Sequence, residues 1–397
     1  MWSIGKTACS LFLVALLFST CLACGGSPAE PTQPAMATEP AQAELTSPPQ
    51  ATATPEPSDT TAPTDTPRPT NTPQPTATPT PIPLPTAVPA GWSRSNPYTR
   101  SEVVSAPNLD VQVLDVKRGQ AAGQALKGGL PAPQGMEYLV VKLRVKSTHT
   151  DGAEHLVNGC SFHVTGDRRI RHGCGEASVA VADPHLEAKL HAGDQVEGWA
   201  AYVVAQGEGN LILVIDEPDN MDETAIRYVA LDDGATVGVP PELAEIEPND
   251  LGTQQDSPAR RSEKVITEDW ELTVLEIVRG DAAWTMVRNA NDYNKPPAEG
   301  MEYIAAKVHV RYISTIDQVS WVINSHCLRA MGSTGILNDP PMVFGLGPDL
   351  SAWLYPAGES EGWVVAQAAQ GESGLVLVFQ PLLDFNGVNK RFLSLEP

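Results

Sequence analysis

The sequence predicts an all-β protein, built as two tandem β-sandwiches behind a disordered Pro/Thr-rich tether. Three observations lead there. Half of the 36 prolines lie between Pro28 and Pro89. Five blocks of residues recur in the same order in the remainder, displaced by 161 to 165 positions. Within each copy the apolar residues alternate with a period of two, the signature of a strand with one buried face.

The amino-terminal segment reads as an export signal spanning 1–23. Lys6 supplies the charge before an apolar run, Leu11 to Phe18, and small residues follow. That run is shorter than the ~20 apolar residues a stable membrane span needs, so a cleavable signal is expected. It ends in Cys21-Leu22-Ala23-Cys24-Gly25-Gly26. This resembles a bacterial lipobox, in which a small residue precedes the cysteine that becomes diacylated. Ala23 fits that position, and Cys21 departs from the usual leucine. The resemblance makes Cys24 the lipidation site and places the chain on the extracytoplasmic face of the cell membrane. Several acyl chains, each methylene contributing ~0.8 kcal/mol on burial, would hold it there.

Residues 24–97 are assigned to the tether. Thr-Pro steps recur from Thr66 to Pro85, and large apolar side chains are nearly absent. Such a stretch cannot bury enough area to offset its ordering entropy and favours extended polyproline II. At ~3.1 Å per residue, the sixty-odd residues from 27 to about 91 could reach roughly 190 Å if fully extended.

Beyond the tether lies the repeat. Gly135-Met136-Glu137-Tyr138 returns as Gly300-Met301-Glu302-Tyr303, and Arg118-Gly119 as Arg279-Gly280. Glu197-Gly198-Trp199 returns as Glu361-Gly362-Trp363, and Ala205-Gln206-Gly207-Glu208 as Ala369-Gln370-Gly371-Glu372. Two copies, 98–238 and 263–397, are joined by an acidic linker, 239–262. Leu139, Val141, Leu143 and Val145 point one way, with Lys142, Arg144 and Lys146 opposite; Ile304, Ala306, Val308 and Val310 repeat the pattern. Further strands are expected at 109–116, 160–165, 169–174, 196–204, 211–216 and 227–231, and no long helical period competes. About seven short strands in roughly 135 residues indicate a sandwich.

These blocks resemble the domain of unknown function 4352 group of extracellular lipoproteins. The shared pattern is a strand opening Gly-x-x-Tyr, then an Ala-Gly-Asp/Glu turn, then Glu-Gly-Trp and a second apolar strand. The resemblance covers most of 109–231 and 270–395. It implies an immunoglobulin-like (telokin-like) sandwich and a surface location, and it carries no activity.

Four constellations invite a chemical reading. Cys160 and Cys174 lie symmetrically about a hairpin centred on Asp167, so a disulfide is expected between them in an oxidising compartment. His163 and His172 on the same hairpin suggest zinc, but residues 160 and 163 of a strand face opposite ways, and both histidines are expected to face solvent. Asp216 to Glu223 concentrates oxygen ligands without calcium-loop spacing, and a solvated turn is expected there. Trp199 and Trp363 are expected to pack in the cores. Trp270, Trp284, Trp321 and Trp353, with Tyr293 and Tyr312, are peculiar to the second copy and could form an aromatic binding surface there. Cys327, without a partner like Cys174, is expected as a buried thiol.

No Gly-x-Ser-x-Gly elbow, His-Glu-x-x-His or phosphate-binding loop occurs. No catalytic residue, metal ligand or cofactor is assigned, and a non-enzymatic binding or interaction module is expected; the alternative is a divergent extracellular hydrolase or metal-dependent enzyme. The net charge is −22 and no segment is basic, which disfavours nucleic acid as a partner. An extracellular protein or an envelope polymer fits better.

Overall fold

The computed structural model describes residues 88–127, 131–177, 182–216 and 225–396. Cys24, the tether up to residue 87 and most of the acidic stretch (217–224) lie outside the described residues. Both sandwiches belong to the compact unit Ala87–Pro397.

The first sandwich sets a four-stranded antiparallel sheet against a three-stranded one. The larger sheet runs β1 (Val103–Ser105), β2 (Leu109–Arg118), β3 (Met136–Ser147) and β7 (Gln195–Ala205), in that spatial order. The smaller is β5 (Phe162–Thr165), β8 (Ile212–Ile215) and β9 (Arg227–Ala230). A ribbon of β4 (His155–Asn158) and β6 (Glu187–Leu190) stands beside them. The second sandwich repeats both sheets: β10 (Val265–Ile266), β11 (Trp270–Arg279), β12 (Met301–Tyr312) and β14 (Glu359–Ala369), facing β13 (Leu328–Met331), β15 (Val376–Phe379) and β16 (Arg391–Ser394). Both copies place a bulge at the same point, between Val113 and Asp115 and between Val274 and Glu276.

The alternation explains the cores. Leu139, Val141, Leu143 and Val145 are fully buried against Phe162, Val164, Leu213 and Ile215. Ile304, Val308 and Val310 lie equally deep against Leu328, Leu377 and Phe379. Each such side chain stabilises the fold by about 1.5–3 kcal/mol. On the outer face, Arg144 reaches Glu197 at 2.7 Å and Lys307 reaches Glu361 at 2.6 Å.

Three features differ from the expectations. Residues 169–174 form isolated bridges instead of a strand. Two short helices, α1 (Gly119–Ala125) and α2 (Gly280–Ala290), follow the Arg-Gly pairs and cover the outer face of the large sheets with Ala122, Ala283 and Val287. Gly119 and Gly280 take positive φ, +56° and +61°, to turn the chain from strand into helix, a conformation glycine adopts without steric cost. These helices span only two to three turns, too few to leave a sustained 3.6-residue period.

The third difference concerns the boundaries. Residues 91–97, assigned to the tether, and 252–259, assigned to the linker, are packed parts of the two sandwiches. Tyr98 bridges Val229 in parallel, and Ala259 bridges Leu393 in the same way. Tyr228 N donates to Gly91 O at 3.0 Å, and Phe392 N to Gly252 O at 2.7 Å. Thr99 N donates to Glu102, and Arg260 N to Glu263, both at 2.7 Å. The repeat therefore begins at Gly91 and Gly252. Its sequence trace is Asn96-Pro97-Tyr98-Thr99-Arg100-Ser101-Glu102 against Ser257-Pro258-Ala259-Arg260-Arg261-Ser262-Glu263.

Candidate functional site

The recurring motifs are accounted for by the fold. Gly198 and Gly362 have no room for a side chain: a Cβ would sit 2.5 Å from Leu186 N in one copy and 2.4 Å from Leu350 N in the other. The neighbouring chain crosses there because Trp199 N donates to Pro184 O at 2.8 Å, and Trp363 N to Pro348 O at 2.7 Å. Trp199 is buried against the covering layer that includes Ala122, while Trp363 is half-buried beside Tyr303 and Val365. Glu137 holds Arg118 at 2.6 Å and Glu302 holds Arg279 at 2.7 Å. Glu208 and Glu372 cap turns, accepting from Arg168 N at 3.3 Å and Thr334 N at 3.2 Å. What distinguishes this molecule lies where the two sandwiches meet.

The seam is built by the hairpin after β5. Its arm runs along the second sandwich: Arg171 N donates to Trp353 O at 2.9 Å, Tyr355 N donates to Arg169 O at 2.8 Å, and Ile170 bridges Leu354. Gly358 admits the arm, since a Cβ there would lie 2.6 Å from Arg169 O. Cys160 and Cys174 are joined by a disulfide with their Cα atoms 5.0 Å apart. They do not sit on paired strands about Asp167; they occupy two 3₁₀ turns, Gly159–Ser161 and Cys174–Ala177. The observed register pairs Val164 with His172, one residue off the expected centre.

His163 and His172 are 1% and 2% exposed, which corrects the expectation that they face solvent. The second sandwich supplies cover for His163 through Tyr355, and Glu208 of the first sandwich lies against His172. His163 Nε2 is 2.8 Å from the Tyr355 hydroxyl, and His172 Nε2 is 3.0 Å from the buried Glu208 carboxylate. Burial, reinforced by the charges of Arg171 and His172, holds the His163 imidazolium well below the ordinary histidine range. Burial also pushes the Tyr355 hydroxyl far up. Both groups are therefore neutral at pH 7.

Arg94, from the block assigned to the tether, is fully buried. Its guanidinium lies 4.0 Å from the Tyr355 ring centroid. Nε and Nη2 donate to Asp317 Oδ1 at 2.8 and 2.5 Å. Sequence reasoning missed Arg94, Asp317 and Tyr355, because each becomes meaningful only when the other copy is in place.

At the rim of the seam stands an aromatic pair. Trp353 is half-buried and Trp321 is 40% exposed, with ring centroids 6.0 Å apart. The Arg171 guanidinium lies 5.0 Å from the Trp353 ring centroid. The other aromatic residues of the second copy go elsewhere. Trp270 is in the core against Tyr312 and Phe379, and Trp284 packs on Tyr303. Tyr293 is exposed beyond α2. Cys327 is buried and unpaired, and burial raises its thiol pKa, which keeps it protonated and unreactive.

Among the described residues no helix is long and apolar enough to cross a membrane. No protein-family model and no curated protein matches the chain. Among solved structures, it is similar to the yjhA protein of Bacillus subtilis, at 18% identity over 34% of this chain and 99% of that one, with a TM-score of 0.24. It is also similar to the ycdA protein of Bacillus subtilis, a candidate lipoprotein, at 17% identity over 33% of this chain and 38% of that one, TM-score 0.24. A β-sandwich protein of Clostridium difficile is similar at 8% identity, over 38% of this chain and all of that one, TM-score 0.23.

Proposed function

We propose that this chain is a lipid-anchored, extracytoplasmic binding module without enzymatic activity, and that its ligand is an envelope polymer met at the Trp321–Trp353 pair. The observation that carries the reading is that pair, presented at the seam with Arg171 over one ring. Flat indole faces recognise the apolar faces of sugar rings or other planar groups, and a guanidinium beside them adds a charge-assisted donor. The repeated motif residues are already engaged in holding turns and strand crossings. The lipobox-like Cys24 and the Pro/Thr-rich segment support an anchor with long reach. The Gly-x-x-Tyr and Glu-Gly-Trp blocks support kinship with the domain of unknown function 4352 group.

The test is co-sedimentation of the full chain with insoluble cell-wall polymer. Trp321→Ala with Trp353→Ala should lower the bound fraction at least tenfold while leaving Tm within a few degrees of wild type. Equal retention of the double variant would overturn the polymer reading. Separately, Cys24→Ser should move the protein from the membrane fraction to the medium or stall its processing; unchanged partitioning into detergent would refute the anchor.

A further inference from the structure

We infer that the loop joining β3 to β4 is a transition-metal site, with His149, Asp151 and His155 as its ligands. One donor atom from each of the three lies within 4.8 Å of the others. The two imidazole rings stack with centroids 3.5 Å apart and planes 1° from parallel. His155 Nε2 lies 2.8 and 3.0 Å from the two Asp151 carboxylate oxygens. The loop backbone holds these groups in place. Ala153 N donates to Asp151 Oδ1 at 2.9 Å, closing a tight turn. His155 starts β4 and is paired with Leu190. Thr148 N, just before His149, donates to Asn108 O at 2.8 Å.

The donor set selects the class of ion. Calcium and magnesium take oxygen ligands almost exclusively. Two imidazoles and one carboxylate suit zinc, copper(II) or nickel. At bond lengths of about 2.0–2.2 Å, tetrahedral ligands stand ~3.4 Å apart, so taking up an ion requires the two stacked rings to turn out of parallel and His155 Nε2 to exchange its Asp151 contact for the metal. Asp151 and its neighbours are solvent-accessible, and the strongly negative chain draws cations toward it. Three protein ligands would leave at least one position for water or for a group on a bound partner.

The second copy provides an internal contrast. Ser147 and Tyr312 are equivalent: Ser147 N donates to Asp194 O at 2.9 Å, and Tyr312 N to Gly358 O at 3.0 Å. Two and four residues beyond Tyr312 stand Ser314 and Ile316, where the first copy has His149 and Asp151. The loop of the second copy instead carries Asp317 to Arg94 in the seam. The same connection has thus diverged, to docking in one copy and to nitrogen and oxygen donors at the surface in the other.

The experiment is calorimetric titration of the full chain with zinc chloride, repeated on His149→Ala, His155→Ala and Asp151→Asn. Wild type should bind one equivalent more than either histidine variant, or bind at least tenfold tighter, and Asp151→Asn should weaken binding by less. All variants should keep the metal-free Tm of wild type, since the loop is exposed. Copper(II) loaded in place of zinc should give an electron paramagnetic resonance spectrum with splitting from two nitrogens, lost in His155→Ala. The site is refuted if the double histidine variant binds zinc with wild-type stoichiometry and affinity, or if wild type binds no zinc with a Kd below about 0.1 mM.

Discussion

His163 shows how a single side chain comes to depend on the whole assembly. It lies between the hairpin of one sandwich and Tyr355 of the other, fully buried, with the charges of Arg171 and His172 nearby. The unfolded chain protonates this imidazole near pH 6.5, whereas the folded protein resists protonation until well below that. Between those two values, unfolding takes up a proton. The contribution of His163 to stability is therefore complete above about pH 6.5 and is lost as the pH falls beneath it, by up to ~1.4 kcal/mol per pH unit. Thermal unfolding followed from pH 7.5 to 5 should show Tm falling more steeply in wild type than in His163→Gln. Parallel curves for the two proteins would show that protonation of His163 is not linked to unfolding.

At the scale of elements, the two Glu-Gly-Trp strands make the most demanding claim. β7 and β14 each pass beneath a crossing chain, and the glycine is what allows the approach. Added methyl groups at 2.4–2.5 Å from backbone atoms cannot be accommodated by side-chain movement, so the crossing chain itself must shift. Gly198→Ala and Gly362→Ala should each cost about 2–4 kcal/mol, beyond the ordinary loss for overpacking because backbone is displaced. Denaturant titration checks this; a loss below about 0.5 kcal/mol in either variant, the range of a surface substitution, would contradict the crossing. The strands themselves were legible in the sequence because alternation and repetition are local properties. Leu139 to Val145 and Ile304 to Val310 declare a buried face whatever surrounds them. The stretch from Gly91 to Pro97 was equally present as a repeat of Gly252 to Pro258, but its neighbours are prolines and polar residues, so its composition reads as tether. The burial of His163 and His172 left no local trace, since the Tyr355 that covers His163 lies 192 positions away. The short helices were hidden for a different reason: α1 buries a single small residue, Ala122.

The scale of the whole unit is set by the seam. Between the sandwiches run two backbone hydrogen bonds, a buried cation over an aromatic ring, and the Arg94–Asp317 pair. Arg94 is fully buried and Asp317 is 21% exposed. Removing the carboxylate leaves a guanidinium in the interior with its charge uncompensated, at a cost of about 3 kcal/mol, the lower end for a buried pair because Asp317 keeps some solvent. Removing the Tyr355 hydroxyl strands His163 Nε2, adding about 1–2 kcal/mol. Because both groups bridge the copies, their loss should fall on the coupling between sandwiches more than on either core. Wild type should therefore unfold in one calorimetric transition, and Asp317→Ala with Tyr355→Phe should resolve it into two, the earlier one lowered by roughly 8–20 °C at ~2–4 °C per kcal/mol for domains of this size. The Trp321–Trp353 pair stands at the same seam, so the double variant should also weaken polymer binding although neither substituted residue belongs to the pair. A single transition in the double variant, merely shifted, would mean that the sandwiches are coupled through the backbone pairing of 169–171 with 353–355 and that the ionic core of the seam contributes stability without controlling cooperativity.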